Sequence, residues 1–156
     1  MSRYRRRTRV AAPLEDVWAF HSRIDGLEAL TPGWMNLRVE EIQGPDGDDP
    51  VILEAGTRIR LSTRPFDVGP RQEFVSRIVT REEGDGSARF VDDMTDGPFR
   101  HWEHTHRFFA DGDETIVEDD VEYVLPIADG ILGPLSVVGF EPMFRYRHRK
   151  TRELLE

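Results

Sequence analysis

An α+β fold, in which a curved antiparallel sheet packs against a long C-terminal helix, is predicted by three features of the sequence. Segments with strand character follow one another through the middle of the chain, separated by short turn motifs. A strand and two short helices precede this run, and an amphipathic helical segment follows it. Strands joined by such short turns pair antiparallel, because parallel neighbours need long crossover connections.

The N-terminal region predicts a strand followed by two short helices. The strand is expected over residues 4–11, and Pro13 suits the first position of the first helix. The second helix is expected over residues 25–30, because Pro32 disfavours helical backbone at the residue before it. One buried stripe at helical spacing is predicted by Leu14, Val17, Trp18, His21 and Ile24.

The remaining elements complete a seven-stranded sheet and a closing helix. Pro142 is expected either to begin a straight helical segment or to kink a longer one. A helix of about 21 residues, from near Leu135 to Glu156, spans roughly 30 Å and can cross the concave side of the sheet, leaving a cavity between them. Strands are expected over residues 35–43, 57–64, 71–81, 87–95, 99–110 and 114–125.

Composition and length indicate one folded domain over residues 1–156. Hydrophobic residues make up 38% and charged residues 33% of the chain, well short of the composition of disordered proteins. The absence of cysteine excludes disulfides and thiolate chemistry. No signal peptide is recognisable, and prolines and glycines interrupt the longest apolar tract, so we predict a cytoplasmic protein without stable membrane insertion.

The formal charge of −9 argues against nucleic-acid binding, which needs a basic surface. Lys150 is the one lysine among 21 basic residues, beside 30 acidic ones, a composition similar to that of proteins from salt-loving organisms. A GC-rich genome also favours arginine over lysine. A single basic cluster could contact phosphate or anionic lipid, or could be the solvated face of an edge strand; it comprises Arg3, Arg5, Arg6, Arg7 and Arg9.

The stretch FVDDMTDGPFRHWEHTHRFF, residues 90–109, places aromatic and ionisable side chains on the same alternating positions. Successive side chains of a strand point to opposite faces of the sheet. Phe90, Asp92 and Met94 therefore share one face, as do Trp102, His104, His106 and Phe108 on the next strand and Asp119 and Tyr123 on the one after it. We expect a cluster of Asp92, His104, His106, Asp119 and Tyr123.

The order of elements and several motifs resemble the START-like or SRPBCC superfamily, whose helix-grip fold occurs in lipid-transfer domains, Bet v 1-type plant proteins and polyketide cyclase/dehydratases. A bacterial and archaeal branch carries a pattern close to F-x-D-x-Q-x-x-G-P-[FY]-x-x-W-x-H-x-H-x-F. Met94 stands where that pattern has glutamine, and Phe74 where tryptophan is common, so both make the site more apolar. The matching motifs are VWAFHS (17–22), LTP (30–32), FVDDMTDGPFRHWEHTHRF (90–108), TIVEDDVEYVLP (115–126) and ILGPL (131–135).

This resemblance implies a carrier or sensor that binds a hydrophobic small molecule or lipid between the sheet and the C-terminal helix. It implies no cofactor, and the sequence leaves the oligomeric state open. Rings and a few polar groups would form the wall of the cavity. The expected ligand contacts are Trp18, Phe74, Phe90, Asp92, Met94, Trp102, His104, His106, Phe108, Asp119 and Tyr123.

Other interpretations of the same residues stay open. Asp92 and Asp119 could simply hold the two imidazoles in a buried structural network. His104 or His106, tuned by a carboxylate, could act as a general base in a cyclase/dehydratase. The same side chains could ligate a metal, but an ordinary buried network has the same composition, so no metal is predicted. The apolar segment 127–138 could instead dock a protein partner.

Overall fold

The structure, a computed structural model, describes residues 1–47, 50–97, 99–124 and 129–156, except the side chains of residues 129–139. The helices are α1 (Leu14–His21), α2 (Ile24–Ala29) and α3 (Asp129–Leu155). The strands are β1 (Ser2–Val10), β2 (Arg38–Gln43), β3 (Arg58–Thr63), β4 (Gln72–Gly84), β5 (Ser87–Thr95), β6 (His101–Asp111) and β7 (Glu114–Val124).

The strands form a seven-stranded antiparallel sheet in the order β1-β7-β6-β5-β4-β3-β2. Each strand from β2 to β6 pairs with the next one along the chain, as hairpin connections require. β1 returns to pair with β7, so β1 and β2 are the two edges. The predicted α+β architecture, with seven antiparallel strands and a long C-terminal helix, is confirmed.

Two helix boundaries differ from the sequence prediction. Pro13 has extended backbone and precedes α1, which begins at Leu14. α3 begins at Asp129, six residues before the expected start at Leu135, and its helical backbone continues past Pro134 and Pro142. A proline removes one backbone hydrogen bond, so Pro134 and Pro142 favoured a helix boundary in the sequence prediction.

Two apolar clusters on one face of the sheet hold the helices. Under α1, Val17 and Trp18 pack with Phe108, which is completely buried. Under α3, Phe140 and Phe144 pack with Tyr4, Trp102, Val121 and Tyr123. Burying each large apolar side chain stabilises the fold by roughly 1.5–3 kcal/mol.

Apart from Arg6, which pairs with Glu141 of α3, the N-terminal arginines lie on the opposite face of β1, beside the acids of β7. Arg3 makes two hydrogen bonds to Asp120, of 2.8 and 2.6 Å, and Arg7 lies 2.6 Å from Glu118. Arg107 of β6 bridges the same two carboxylates at 3.0 Å each. The basic cluster is thus an ion-pair ladder on an edge strand, and its charge is largely balanced by its neighbours.

No helix in the described part of the chain is both long enough and apolar enough to cross a membrane.

Candidate functional site

A cavity of about 450 Å³ is lined by side chains from the inner face of the sheet and from the helices. This volume lies within the range of roughly 300–1,000 Å³ found for small-molecule sites. The wall is mainly apolar, with Leu27 and Leu30 from the α2 region, Leu61 from β3, Ile78 from β4, and Met143 from α3. Such a space can hold a hydrophobic molecule largely away from water.

Most of the expected ligand contacts lie on this wall. Phe74 of β4 is one of them, and the remaining ones come from the two alternating faces of β5 and β6. The period of two therefore identified the correct side of both strands. Those remaining wall residues are Phe90, Asp92, Met94, Trp102, His104 and His106.

Four of the expected ligand contacts are not on the described cavity wall, and their role as direct contacts stays a prediction: Trp18, Phe108, Asp119 and Tyr123. Trp18 packs on Phe108 at 5.4 Å between ring centroids and donates a 2.6 Å hydrogen bond to Glu83. Tyr123 is 1% exposed and belongs to the cluster under α3. Asp119 lies behind the histidines. Period two identifies a face of a strand, but helices cover parts of that face.

Four residues of the expected cluster converge: Asp92, His104, His106 and Asp119. Their hydrogen bonds run diagonally between strands, not between register partners. Asp92 is the register partner of His104, yet its Oδ2 accepts a 2.7 Å hydrogen bond from His106 Nε2. Asp119 is the partner of His106, yet its Oδ1 accepts a 2.7 Å bond from His104 Nε2. Diagonal neighbours on adjacent strands are within reach of such side chains. The two imidazoles stack between the carboxylates, with 3.6 Å between their ring centroids.

The protonation of His106 follows from its two carboxylate neighbours. Its Nε2 faces Asp92, and its Nδ1 lies 3.3 Å from Asp119 Oδ1, an ion-pair distance without hydrogen-bond geometry. A lone pair on either nitrogen would face an anion. Burial acts to lower the pKa of His106, but the attraction of Asp119 and Asp92 outweighs it and raises the pKa above its usual value. Of the two imidazoles, His106 is thus the one that holds its second proton more strongly.

His104 is shifted in the opposite direction. Burial lowers its pKa, and the neighbouring charge of His106 lowers it further, despite the hydrogen bond to Asp119. A neutral His104 that donates through Nε2 keeps a lone pair on Nδ1, which lies 3.8 Å from Asp92. Burial acts to raise the pKa of Asp92, but the two histidines hold it below its usual value.

His148 of α3 completes the network, and sequence reasoning assigned it no role there. Its Nε2 donates a 2.6 Å hydrogen bond to the second oxygen of Asp119, and it is 3% exposed. Burial acts to raise the pKa of Asp119, but the hydrogen bonds from His104 and His148, together with the nearby imidazole of His106, hold it far below its usual value. The available signal was helical spacing, because His148 lies four residues after Phe144 and therefore shares a helix face with that apolar residue.

Two further polar residues on the wall, His21 and Arg147, were also missed as site residues. The Nδ1 of His21 donates to the carbonyl oxygen of Val17 at 2.8 Å, as its position on an inward helical stripe allows. Burial, with a smaller contribution from the charge of Arg147, lowers the pKa of His21 to about 3. His21 is therefore neutral at ordinary pH.

Within the described residues, Asp92, His104 and His106 form the one group with metal-ligand spacing, their donor atoms lying within 4.8 Å of one another. Two imidazoles and a carboxylate suit zinc or iron. In the structure the same atoms bond within the protein network. The absence of a metal stays a prediction.

The comparisons with known proteins agree with this architecture. Residues 10–146 match the family described as polyketide cyclase/dehydrase and lipid transport. The chain belongs to this family. Its expected place in the START-like or SRPBCC superfamily is therefore confirmed. No protein of curated function matches the sequence significantly.

Solved structures share the fold of this family member across nearly the whole chain. TTHA0849 from Thermus thermophilus has a TM-score of 0.70 and 21% identity, covering 97% of this chain and 95% of its own. Norcoclaurine synthase from Thalictrum flavum has a TM-score of 0.67 and 21% identity, covering 98% and 85%. Ara h 8.0201 has a TM-score of 0.61 and 11% identity, covering 96% and 97%. The helix-grip fold is thereby confirmed.

Proposed function

We propose that this protein binds a hydrophobic small molecule or lipid in the cavity, as a carrier or sensor. The observation that carries the proposal is the mainly apolar wall of a cavity of about 450 Å³. The family description includes lipid transport, which agrees with this function. Norcoclaurine synthase, which has the same fold, was crystallised in complex with dopamine and hydroxybenzaldehyde. Aromatic small molecules are therefore bound by that protein.

Affinity and orientation would come from different parts of the wall. Apolar ligand surface removed from water contributes roughly 25 cal/mol per Å² before the costs of association. His104, His106 and Asp92 supply the polar contacts that orient a ligand, and Asp119 holds both rings from behind. A rigid polar group beside an apolar space selects ligands whose polar end can bond to that group while the apolar part fills the space.

Filling the cavity tests this function. Ser76 lines the cavity on β4, so Ser76→Trp should place an indole in the ligand space and reduce the affinity for the neutral dye N-phenylnaphthylamine by at least about tenfold, roughly 1.4 kcal/mol. Dye fluorescence during titration measures the change. Val79 lies on the same strand with 48% exposure, so Val79→Trp is the matched control and should leave dye binding unchanged.

Organic extraction and mass spectrometry of the purified protein complete this test. A co-purified apolar molecule should be present in the wild type and in Val79→Trp and depleted in Ser76→Trp. Equal dye affinity in all three proteins, with no extracted molecule, would contradict binding in this cavity.

A second candidate function, a cyclase/dehydratase, is favoured by the opposite pKa shifts of His104 and His106. Neighbouring groups with separated pKa values are suited to act as base and acid. In a dehydration, His104 would remove the proton α to a carbonyl, and a double bond would form as the β-hydroxyl leaves. His106 would give that hydroxyl the proton that makes it water.

The aldol adduct of acetone and benzaldehyde is a simple probe of this chemistry. Ultraviolet absorbance of the enone product measures its dehydration. The enzymatic candidate predicts turnover that falls on the order of 100-fold or more in His104→Gln, since a positioned base contributes that much. Bound adduct without enone formation would leave the protein a binder.

A further inference from the structure

Arg147 of α3 stands out because it is a cation on the wall of an apolar cavity. It is half-buried, and its Nε is fully enclosed without a hydrogen-bond partner. Among the residues that the structure describes, it has no carboxylate within 4.0 Å, whereas the arginines of β1 and β6 at the ladder are paired. It is also the one lysine or arginine on the described wall.

Among the described residues, those that share the cavity wall with Arg147 offer it no unpaired negative charge. Its guanidinium carbon lies 6.0 Å from the ring centroid of Phe144, an apolar neighbour one helical turn earlier. His21, which shares the wall, is neutral. Asp92 is the one acid on the described wall, and its carboxylate is already bonded to His106, with His104 beside it.

A guanidinium with an enclosed, unpartnered N–H and a mainly apolar surrounding lacks the anion that would stabilise it. Its planar fork matches a carboxylate, which it binds through two parallel hydrogen bonds. On the basis of the proposed function, we propose that the ligand is a hydrophobic carboxylic acid whose carboxylate pairs with Arg147.

The position of Arg147 is well defined relative to the cavity. The next residue, His148, is bonded to Asp119 of β7 at 2.6 Å, and Phe144 packs in the cluster under α3. This part of the helix is thus anchored to the sheet on both sides of the arginine. The His104–His106 stack keeps its own carboxylates, Asp92 and Asp119.

The cavity limits the acid to a moderate size. A volume of about 450 Å³ lies in the lower half of the usual range for small-molecule sites. A medium-chain fatty acid or a bicyclic aryl acid fits this description. The acid would place its apolar body among residues such as Leu61, Ile78 and Phe74.

Matched acids and alcohols test the inference. Decanoate is compared with decanol, and naphthaleneacetate with naphthaleneethanol, by displacement of N-phenylnaphthylamine at neutral pH and fixed ionic strength. The wild type should prefer each acid by roughly 10- to 100-fold, the strength of a charge-assisted contact. Arg147→Met should remove this preference and leave alcohol affinity within about threefold. Arg147→Lys keeps the positive charge but lacks the planar guanidinium, so it should retain part of the preference for acids.

Arg149 provides the matched control, because it lies on the same helix with its side chain 62% exposed. Arg149→Met should keep the wild-type preference. Equal affinity for acids and alcohols in the wild type, or an unchanged preference in Arg147→Met, would overturn the inference while leaving hydrophobic binding intact. If no probe of either pair binds, the proposed function fails and the inference fails with it.

Discussion

Neighbouring residues of this protein differ in protonation because of the partners that the fold assigns to them. His104 and His106 lie two positions apart on one strand face, yet the pKa of the first falls and that of the second rises. Asp119 and Asp120 are adjacent, yet one points inward to three histidines and the other outward to arginines. The alternation of a strand thus gives consecutive acids separate roles.

Asp120, the acid that points outward, leads to a prediction of how folding stability depends on pH. The hydrogen bond from Arg3, assisted by Arg107 and Arg5, holds the pKa of Asp120 well below its usual value. A depressed pKa adds stability that is present above the unfolded value near 4 and is lost as pH falls through the folded value. Asp120→Asn should cost about 1 kcal/mol at pH 7, because solvent screens the half-exposed arginines.

Urea denaturation from neutral to acidic pH measures this effect. The stability difference between wild type and Asp120→Asn should shrink steadily below about pH 4. Asp113→Asn, in the exposed turn before β7, is the control and should change little at any pH. A difference that stays constant down to low pH would contradict the ion-pair explanation.

At the scale of elements, α3 is joined to the sheet by polar contacts as well as by rings. His148 bonds to Asp119 of β7, and Glu141 accepts a 2.5 Å hydrogen bond from Tyr4 of β1. Phe140 and Phe144 of α3 add apolar packing against the sheet. Since α3 also carries cavity residues, its docking determines the shape of the proposed ligand site.

Removing one of these contacts should loosen the helix selectively. His148→Ala leaves one oxygen of buried Asp119 without its donor and should cost about 3 kcal/mol of folding free energy. Hydrogen–deuterium exchange should show a larger loss of protection over residues 140–155 than over β3–β5. His101→Ala, on the other face of β6, should leave both regions unchanged. Uniform loss of protection would argue against His148 as a local anchor.

At the scale of the whole molecule, a net charge of −9 coexists with close ion pairs. Pairs such as Arg3–Asp120, at 2.6 Å, are much shorter than the screening length, whereas the distances between remote acids exceed it. Raising KCl from about 0.1 M to about 1 M reduces that length from roughly 10 Å to 3 Å. Added salt should therefore weaken the repulsion between remote acids more than it weakens the attraction within the close ion pairs.

The midpoint of thermal unfolding should accordingly rise by several degrees with KCl at pH 7. Near the isoelectric pH of about 5.1 the net charge vanishes, and this salt effect should largely disappear. Calorimetry at both pH values makes the comparison. A midpoint that falls with salt at pH 7 would show that paired charges dominate and would count against the predicted adaptation to high salt.

The sequence by itself determined the order of elements, the antiparallel sheet and the inward face of β5 and β6. These properties are local, since period-two alternation, turn motifs and helical spacing follow from the geometry of a few consecutive residues. The convergence of Asp92, His104 and His106 was predictable for the same reason. The early start of α3 was not, because prolines favour a helix boundary, whereas the helical backbone continues past both Pro134 and Pro142.

Only the tertiary structure decided which inward residues meet the cavity and which fill the core. Alternation assigns Phe90 and Phe108 to the inner face alike, but α1 covers Phe108. The diagonal pairing of Asp119 with His104 depends on how the strands align, and the roles of His148 and Arg147 depend on where α3 docks. These contacts join residues far apart in the chain, so no local pattern specifies them.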